Sequence, residues 1–313
     1  GPDRAAAGAG RAAAPAGAPT TAGAPAAGPV FAGLRGGVGR LAEVLAARLA
    51  RDGVDVRTGT PATALRPLGA GTHEDGADEG DGGGADEGGD GARWLVSTPS
   101  GDVRARAVVV ALPAPSAARL LADVAPSAAQ RLSHVRTASS AIVTLVVPGR
   151  ALAGAGHSGL LVPPVDGRLV KAATFSGLKW GWLAEQARAL LPDDPPAVLR
   201  VSAGRAGEER VLDRDDADLL ATAAAEVGGL LGGEPLPVLA GRVDRWRGGL
   251  PQYDVGHADL VAAVRDDVAR RPGLVLAGSA YDGVGVPACV GLGRAAARQV
   301  LGPGSSTGSS AGG

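Results

Sequence analysis

Residues 275–297 read VLAGSAYDGVGVPACVGLGRAAA, and this stretch carries most of the information about the fold. An apolar strand leads into a glycine-rich turn, Pro287 stands at the start of the next helix, and that helix is rich in small residues. Such a unit gathers free backbone N–H groups and the positive end of a helix dipole at one point. Glycines in the turn let the backbone approach a flat or phosphorylated ligand closely. The stretch therefore predicts a nucleotide site on an α/β fold.

The composition of the chain indicates a folded protein that does not bind nucleic acid. At 313 residues we expect one or two domains, and a hydrophobic fraction of 45% suffices for a core. The net charge of −1 argues against nucleic acid or an anionic membrane as the main partner. Cys289 is the single cysteine, which excludes an internal disulfide framework and fits a reducing compartment. No apolar run has the length of a membrane span and no signal peptide is visible. We expect a cytoplasmic location, either free or peripheral to the membrane.

The periodicity of the chain changes twice along its length. The first part of the chain predicts a helix over 38–51, which ends near Gly53. It also predicts short strands over 54–58, 62–66, 93–98 and 107–112. The last of these is a β-branched run, typical of a strand buried on both faces of a parallel sheet. Longer alternating strands follow over 140–147, 168–176 and 197–204, with helices over 116–122, 182–191 and 213–231. A helix over 257–270 and a strand over 273–278 return to the first pattern. The order predicts interleaved α/β and α+β domains, the first with parallel strands and helices, the second with an antiparallel sheet and helices.

Three segments lack the large apolar residues that a core requires. Residues 1–28 and 302–313 are expected to be a disordered linker and tail, and the acidic, glycine-rich residues 69–91 an expanded hairpin loop. A calcium-binding repeat is the alternative for the acidic segment. We favour the loop because the glycine–aspartate spacing does not recur at a fixed period. No metal site is predicted.

Several separated segments resemble one known family in their order along the chain. They are FAGLRGG at 31–37, AVVVALP at 107–113, TFSGLKW at 174–180, LPQYDVGH at 250–257 after Trp246, and the stretch at 275–297. Together they resemble the oxygen-dependent protoporphyrinogen and coproporphyrinogen oxidases of the FAD-dependent amine oxidase superfamily. The resemblance covers residues 29–301. It implies an FAD-domain portion over 29–112, a substrate domain over 113–256 and a second FAD-domain portion over 257–301.

The resemblance implies a non-covalently bound FAD and molecular oxygen as the electron acceptor. A porphyrinogen, either coproporphyrinogen III or protoporphyrinogen IX, would be oxidised to the porphyrin in two-electron steps with release of hydrogen peroxide, as in haem biosynthesis. Two alternatives stay open: another oxidoreductase of the flavin amine oxidase superfamily, and a non-catalytic half that associates with a partner chain.

The resemblance also assigns roles to particular residues. The flavin ring would lie against Gly283, Val284, Gly285 and Pro287, Gly291 would open the following helix, and Gly278 would allow a close approach of FAD. Ala62 takes the position whose backbone contacts the adenine. Lys179 could hold a water near the flavin, because burial can tune the pKa of a lysine, and a surface lysine is the alternative. Gln252 and Tyr253 could reach the substrate cleft or pack between domains, and Arg245 and Arg247 could bind propionates or lie at the surface.

One element of the superfamily is not found in this sequence. The superfamily begins with a strand–Gly-x-Gly-x-x-Gly–helix unit that holds the FAD pyrophosphate, whereas the glycines at 33–39 follow a low-complexity stretch. Because the chain also contains no methionine, we interpret it as the C-terminal portion of a longer protein. We therefore expect the isolated chain to bind FAD weakly and to be inactive, with the N-terminal half lost or supplied in trans.

Overall fold

The computed structural model describes residues 33–68 and 91–302. The predicted linker over 1–28, residues 69–90 of the acidic segment, residues 303–313 of the predicted tail, and Phe31 and Ala32 lie outside the described residues.

The described chain alternates helices and strands throughout. The helices are α1 Gly39–Arg51, α2 Ala114–Leu121, α3 Pro126–Ser133, α4 Ser176–Lys179, α5 Gly181–Leu190, α6 Asp216–Leu230, α7 His257–Ala269 and α8 Val286–Leu301. The strands are β1 Ala64–Pro67, β2 Trp94–Ser97, β3 Val103–Ala105, β4 Val108–Val110, β5 Thr137–Pro148, β6 Gly159–Leu161, β7 Val170–Phe175, β8 Pro196–Ala203, β9 Ala240–Pro251 and β10 Leu274–Leu276. None of the described helices is long and apolar enough to cross a membrane.

The first core forms around a parallel pair of strands. Strand β10 pairs parallel with β4, with Leu274 opposite Val108 and Leu276 opposite Val110, and β1, β2 and β3 form an antiparallel ribbon beside them. Helices α2, α3 and α7 bury their apolar faces in this core. The mixed α/β character predicted for the ends of the chain is therefore confirmed. The predicted boundaries at residues 112 and 256 stay a prediction.

The second core lies under a five-stranded antiparallel sheet with strand order β6-β7-β8-β5-β9. Alternate residues of β5 point into it, and Ala141, Val143, Leu145 and Val147 are fully buried. Helix α6 covers this face, and its side chains join the same cluster. Since period-two alternation marks a sheet with one buried face, the three strands predicted here are confirmed.

Two strand predictions near the first core need correction. Residues 54–58 form no strand, and Val54 and Val56 stay 46% and 47% exposed, because no described strand lies beside them to pair with. The run over 107–112 does form β4, but Val109 is 41% exposed, so the strand is not buried on both faces. A β-branched run gives the strand, while its burial depends on what packs on each side.

Candidate functional site

The turn between β10 and α8 is built on glycines with unusual backbone angles. Gly278 and Gly283 have φ values of 125° and 142°, which disfavour any residue with a side chain. A β-carbon on Gly283 would also lie 2.8 Å from the Cβ atom of Ala288. Gly285 is the N-cap residue of α8, and Pro287 follows in the first turn, where its missing N–H removes no hydrogen bond. The chain therefore needs glycine at positions 278 and 283.

The start of α8 presents unused hydrogen-bond donors. No side chain caps this helix, and within the described part of the chain the N–H groups of Val286 and Ala288 donate to no acceptor. The first N–H groups of a helix, together with its dipole, favour an anion or an electron-rich ring edge. Val284 is 49% exposed and adds an apolar surface beside these donors. The turn thus fits a flat ligand that carries negative charge.

Gly291 does not open the helix as predicted. Helix α8 begins at Val286, so Gly291 lies inside it, beyond the first turn. The proline and the N-cap glycine set the start of the helix, and a glycine further along adds no free donor there. The thiol of Cys289 lies 4.0 Å from the carbonyl oxygen of Gly283 and is half-buried. The thiol therefore lies against the backbone of the glycine turn.

Two aromatic rings brace the glycine turn, Tyr253 from the loop after β9 and His257 from the first position of α7. The Tyr253 hydroxyl donates to the carbonyl oxygen of Ser279 at 2.6 Å and accepts from the N–H of Gly283 at 2.8 Å. The Tyr253 and His257 rings stack with centroids 4.1 Å apart and an interplanar angle of 10°. His257 Nε2 lies 3.0 Å from the carbonyl oxygen of Ala280. Because a carbonyl oxygen only accepts, this nitrogen carries the proton.

The loop that carries Tyr253 is fixed by a charged pair. Arg136 donates from Nε to a carboxylate oxygen of Asp254 at 2.8 Å, with a second bond from the guanidinium to the other oxygen. This contact and its charge hold the pKa of Asp254 below its ordinary value. The Gln252 N–H donates to the carbonyl oxygen of Arg136 at 2.8 Å. The side-chain amide of Gln252 turns back to Leu250, 3.1 Å away. The structure therefore brings Tyr253 to the turn and directs Gln252 towards β9.

Lys179 lies at the surface, which is the alternative that the sequence left open. The strand ends at Phe175, and Lys179 is the last residue of the short helix α4, where it is exposed rather than buried. Its Nζ lies 5.5 Å from the ring centroid of Trp180, within cation–π range. Trp180 in turn packs on Gly33, where a β-carbon would be 2.5 Å from the indole ring. Lys179 therefore lies beside the ring through which Trp180 contacts the first described residues.

The remaining predicted residues lie in separate places. Ala62 is exposed and precedes β1. Arg245 donates to the carbonyl oxygens of Leu212 and Arg214 at 2.8 and 2.6 Å and pairs with Asp216. Arg247 pairs with Asp213 at 3.2 Å. Both arginines thus hold β9 against the segment that leads into α6.

Tyr281 is a feature of the turn that the sequence reading missed. Its side chain is 3% exposed, and its hydroxyl has no hydrogen-bond partner among the described residues. Burial raises the pKa of Tyr281 to about 12, opposed by the nearby positive charge of Arg265. A tyrosine between glycines gave no signal of burial, because the core cluster that it joins is assembled from elements far apart in the sequence.

A parallel strand pair, a glycine turn and an uncapped helix, joined to an antiparallel sheet, are the elements of a fold that can bind a nucleotide cofactor. Comparison with known proteins narrows this assignment. The chain belongs to the family of flavin containing amine oxidoreductases, whose sequence profile matches residues 13–301.

Similar curated proteins carry porphyrinogen oxidase names. The coproporphyrinogen III oxidase of Mycobacterium tuberculosis (strain ATCC 25618 / H37Rv) is 40% identical over 209 residues, which is 66% of this chain and 43% of that protein. The coproporphyrinogen III oxidase of Propionibacterium freudenreichii subsp. freudenreichii is 33% identical over 279 residues, 88% of this chain and 46% of that protein. The chain spans about half the length of the curated relatives it matches.

Solved structures share the fold. A crystal structure from Exiguobacterium sp. 255-15, assigned as a protoporphyrinogen oxidase, is 28% identical with a TM-score of 0.67 and covers 86% of this chain and 52% of its own. Cyclohexylamine oxidase from Brevibacterium oxydans IH-35A has a TM-score of 0.54 at 14% identity, over 85% of this chain and 53% of its own, which shows the fold alone. The predicted fold class and family are confirmed.

Proposed function

We propose that this chain forms part of an FAD-dependent oxidase that converts a porphyrinogen to a porphyrin with molecular oxygen. The braced glycine turn with free donors at Val286 and Ala288 is the observation that carries the proposal. The family description, flavin containing amine oxidoreductase, supports a flavin cofactor. Relatives named coproporphyrinogen III oxidases support a porphyrinogen as the substrate. Each two-electron step removes two hydrogens from the substrate and reduces one oxygen molecule to hydrogen peroxide. When bound, the flavin supplies this redox chemistry.

This chain's own contribution is to bind and orient the ring. The backbone at Gly278, Gly283 and Gly285 gives a close approach, and Val284 and Pro287 give apolar contact. The Gly283 N–H already donates to Tyr253, so the donors left for the ligand are those at the start of α8. Lys179 as a water-holding residue, Gln252 as a substrate contact and Ala62 as an adenine contact stay predictions.

A pair of glycine variants tests whether the turn holds the cofactor. Gly283→Ala places a side chain at φ 142° and 2.8 Å from Ala288, whereas Gly293→Ala fills open space in the following helix, α8. The measurement is FAD affinity by flavin fluorescence, made on the chain together with the polypeptide encoded immediately upstream of it. We expect Gly283→Ala to weaken binding by about 5- to 150-fold, through strain of about 1–3 kcal/mol, and Gly293→Ala to leave it unchanged. Equal affinities for all three proteins would refute the assignment.

The substrate is tested on the same preparation. Coproporphyrinogen III and protoporphyrinogen IX are supplied in air, and porphyrin fluorescence and hydrogen peroxide are recorded together. We expect porphyrin to form from one or both, with one peroxide for each pair of electrons. Turnover of an amine without porphyrin would favour another member of the flavin amine oxidase superfamily.

A second proposal concerns completion of the flavin site by further polypeptide, in cis or in trans. Helix α1 buries none of its residues, and Val38, Val44 and Leu45 are 56%, 53% and 52% exposed. Val286 and Val290 of α8 are 48% and 44% exposed. An exposed apolar surface on each of these helices is typical of an interface. These surfaces would face the pyrophosphate-binding part of the protein, with 29–112 and 257–301 as portions of one FAD domain and 113–256 as the substrate domain.

Size-exclusion chromatography with light scattering tests this completion. The upstream polypeptide, produced separately, should form a complex with the chain, and Val44→Asp should prevent it. A matched change on the polar side of α1, Glu43→Asp, should not. A monomer with no affinity for that polypeptide would contradict the proposal. The cytoplasmic location, free or peripheral to the membrane, stays a prediction.

A further inference from the structure

The contact between the loop after β9 and the glycine turn gives Tyr253 a role different from substrate binding. Its single hydroxyl proton is donated to Ser279, and the same oxygen accepts from the N–H of Gly283. One oxygen therefore joins two backbone groups four residues apart, across the part of the turn that includes Tyr281. A hydroxyl engaged in this way has little capacity left for a ligand.

His257 fixes the orientation of the Tyr253 ring. The two rings lie nearly parallel at 4.1 Å, and His257 donates to the carbonyl oxygen of Ala280. These two side chains thus hold the backbone of the turn at Ser279, Ala280 and Gly283. Carbonyl groups at two of these positions and the N–H at the third are oriented by side chains rather than by regular secondary structure.

The loop is itself anchored to the antiparallel sheet. The carboxylate of Asp254 accepts from Arg136, the residue directly before β5. The backbone carbonyl oxygen of Asp254 accepts from the backbone N–H of His257 at 3.0 Å. The geometry of the turn is therefore tied to the second core, although the turn belongs to the first.

From these contacts we infer that Tyr253 is a positioning residue, which together with His257 sets the backbone of the turn at residues 279–283 so that the donors at the start of α8 face the ligand. This inference rests on the proposed function for the identity of the ligand, but not for the contacts. It assigns the tyrosine to the cofactor side of the site. The alternative is direct contact with the porphyrinogen.

The two tyrosines of the chain provide a matched pair of variants. Tyr253→Phe keeps the ring stack and removes both hydrogen bonds, whereas Tyr281→Phe removes a hydroxyl that has no partner among the described residues. Hydrogen–deuterium exchange of peptides that cover 278–285 is measured on the chain without flavin. We expect Tyr253→Phe to raise exchange there about tenfold, because two hydrogen bonds that close the turn are lost. Tyr281→Phe should leave exchange in the turn within about twofold of the wild type. Unchanged exchange in Tyr253→Phe would overturn the inference.

A second variant distinguishes the contribution of His257 from that of Tyr253. His257→Phe retains stacking and removes the donor to Ala280, so it should also raise exchange of the turn. The double variant should exchange little faster than the faster single variant, because both bonds hold the same segment. Multiplicative effects would show that the two residues act independently and would contradict a joint role.

Flavin binding and steady-state kinetics then distinguish the cofactor side from the substrate side. With the upstream polypeptide present, Tyr253→Phe should raise the Kd for FAD about fivefold or more and leave the KM for coproporphyrinogen III unchanged. A raised KM with an unchanged Kd would assign Tyr253 to the substrate and overturn the inference. If exchange responds as expected while the wild type binds no flavin, the proposed function fails and the positioning of the turn by Tyr253 stands.

Discussion

The buried hydroxyl of Tyr281 predicts a loss of stability at alkaline pH. The side chain is 3% exposed, and burial raises its pKa from the ordinary 10.0 to about 12. Because the folded state keeps the proton longer than the unfolded state, the stabilisation is complete below pH 10 and is lost as the pH rises towards 12. A difference of about two pH units corresponds to about 2.7 kcal/mol. Tyr281→Phe has nothing to ionise at this position and should not lose this stability.

Urea unfolding of the wild type and Tyr281→Phe, from neutral pH to about pH 12, measures the effect as a difference. Other alkaline titrations are common to both proteins and cancel. At neutral pH we expect Tyr281→Phe to be equal or more stable by about 1 kcal/mol, because it removes a buried hydroxyl that has no partner within residues 33–68 and 91–302. The advantage should grow by about 2–3 kcal/mol above pH 10.

Tyrosinate absorbance gives an independent check of the same pKa. The chain has two tyrosines, so in Tyr253→Phe the signal comes from Tyr281 alone. A folded Tyr253→Phe protein whose tyrosinate appears with a midpoint near pH 10 would refute the reasoning, as would a pH-independent difference between Tyr281→Phe and the wild type.

Two further predictions concern packing and acid stability. A β-carbon on Gly228 would lie 2.2 Å from the carbonyl oxygen of Glu234, so Gly228→Ala should cost about 1–3 kcal/mol in urea unfolding. Gly229→Ala meets nothing within 4 Å and should stabilise α6 by about 0.5–1 kcal/mol, and a similar loss in both variants would contradict this. The pKa of Asp254 is lowered by Arg136, so its contribution is present above 3.8 and is lost as the pH falls through the lowered value. The stability difference between wild type and Asp254→Asn should therefore shrink below pH 3.8, and a constant difference down to the acid transition would exclude this pair as its cause.

Local patterns predicted many of the elements because their information lies in neighbouring residues. The alternation of β5 predicts a strand with one buried face, and the glycines and Pro287 predict the turn and the helix α8. Both are properties of short segments. Strand periodicity depends on the order of neighbouring side chains, and the positive φ angles at Gly278 and Gly283 depend on the absence of a side chain there. The family resemblance was also confirmed on motifs that stand in the sequence.

The sequence by itself determined that a glycine turn joins a strand to a helix and that a mixed fold with an antiparallel sheet lies between two similar ends. Only the tertiary structure decided what surrounds that turn. Tyr253 meets Ser279 and Gly283 across 26 and 30 positions, and Arg136 meets Asp254 across 118. It likewise decided that Val109 is exposed, that Lys179 lies on a helix and that Tyr281 is buried. Such contacts depend on how separate elements pack, and no local periodicity encodes which distant side chain will occupy the space beside a turn.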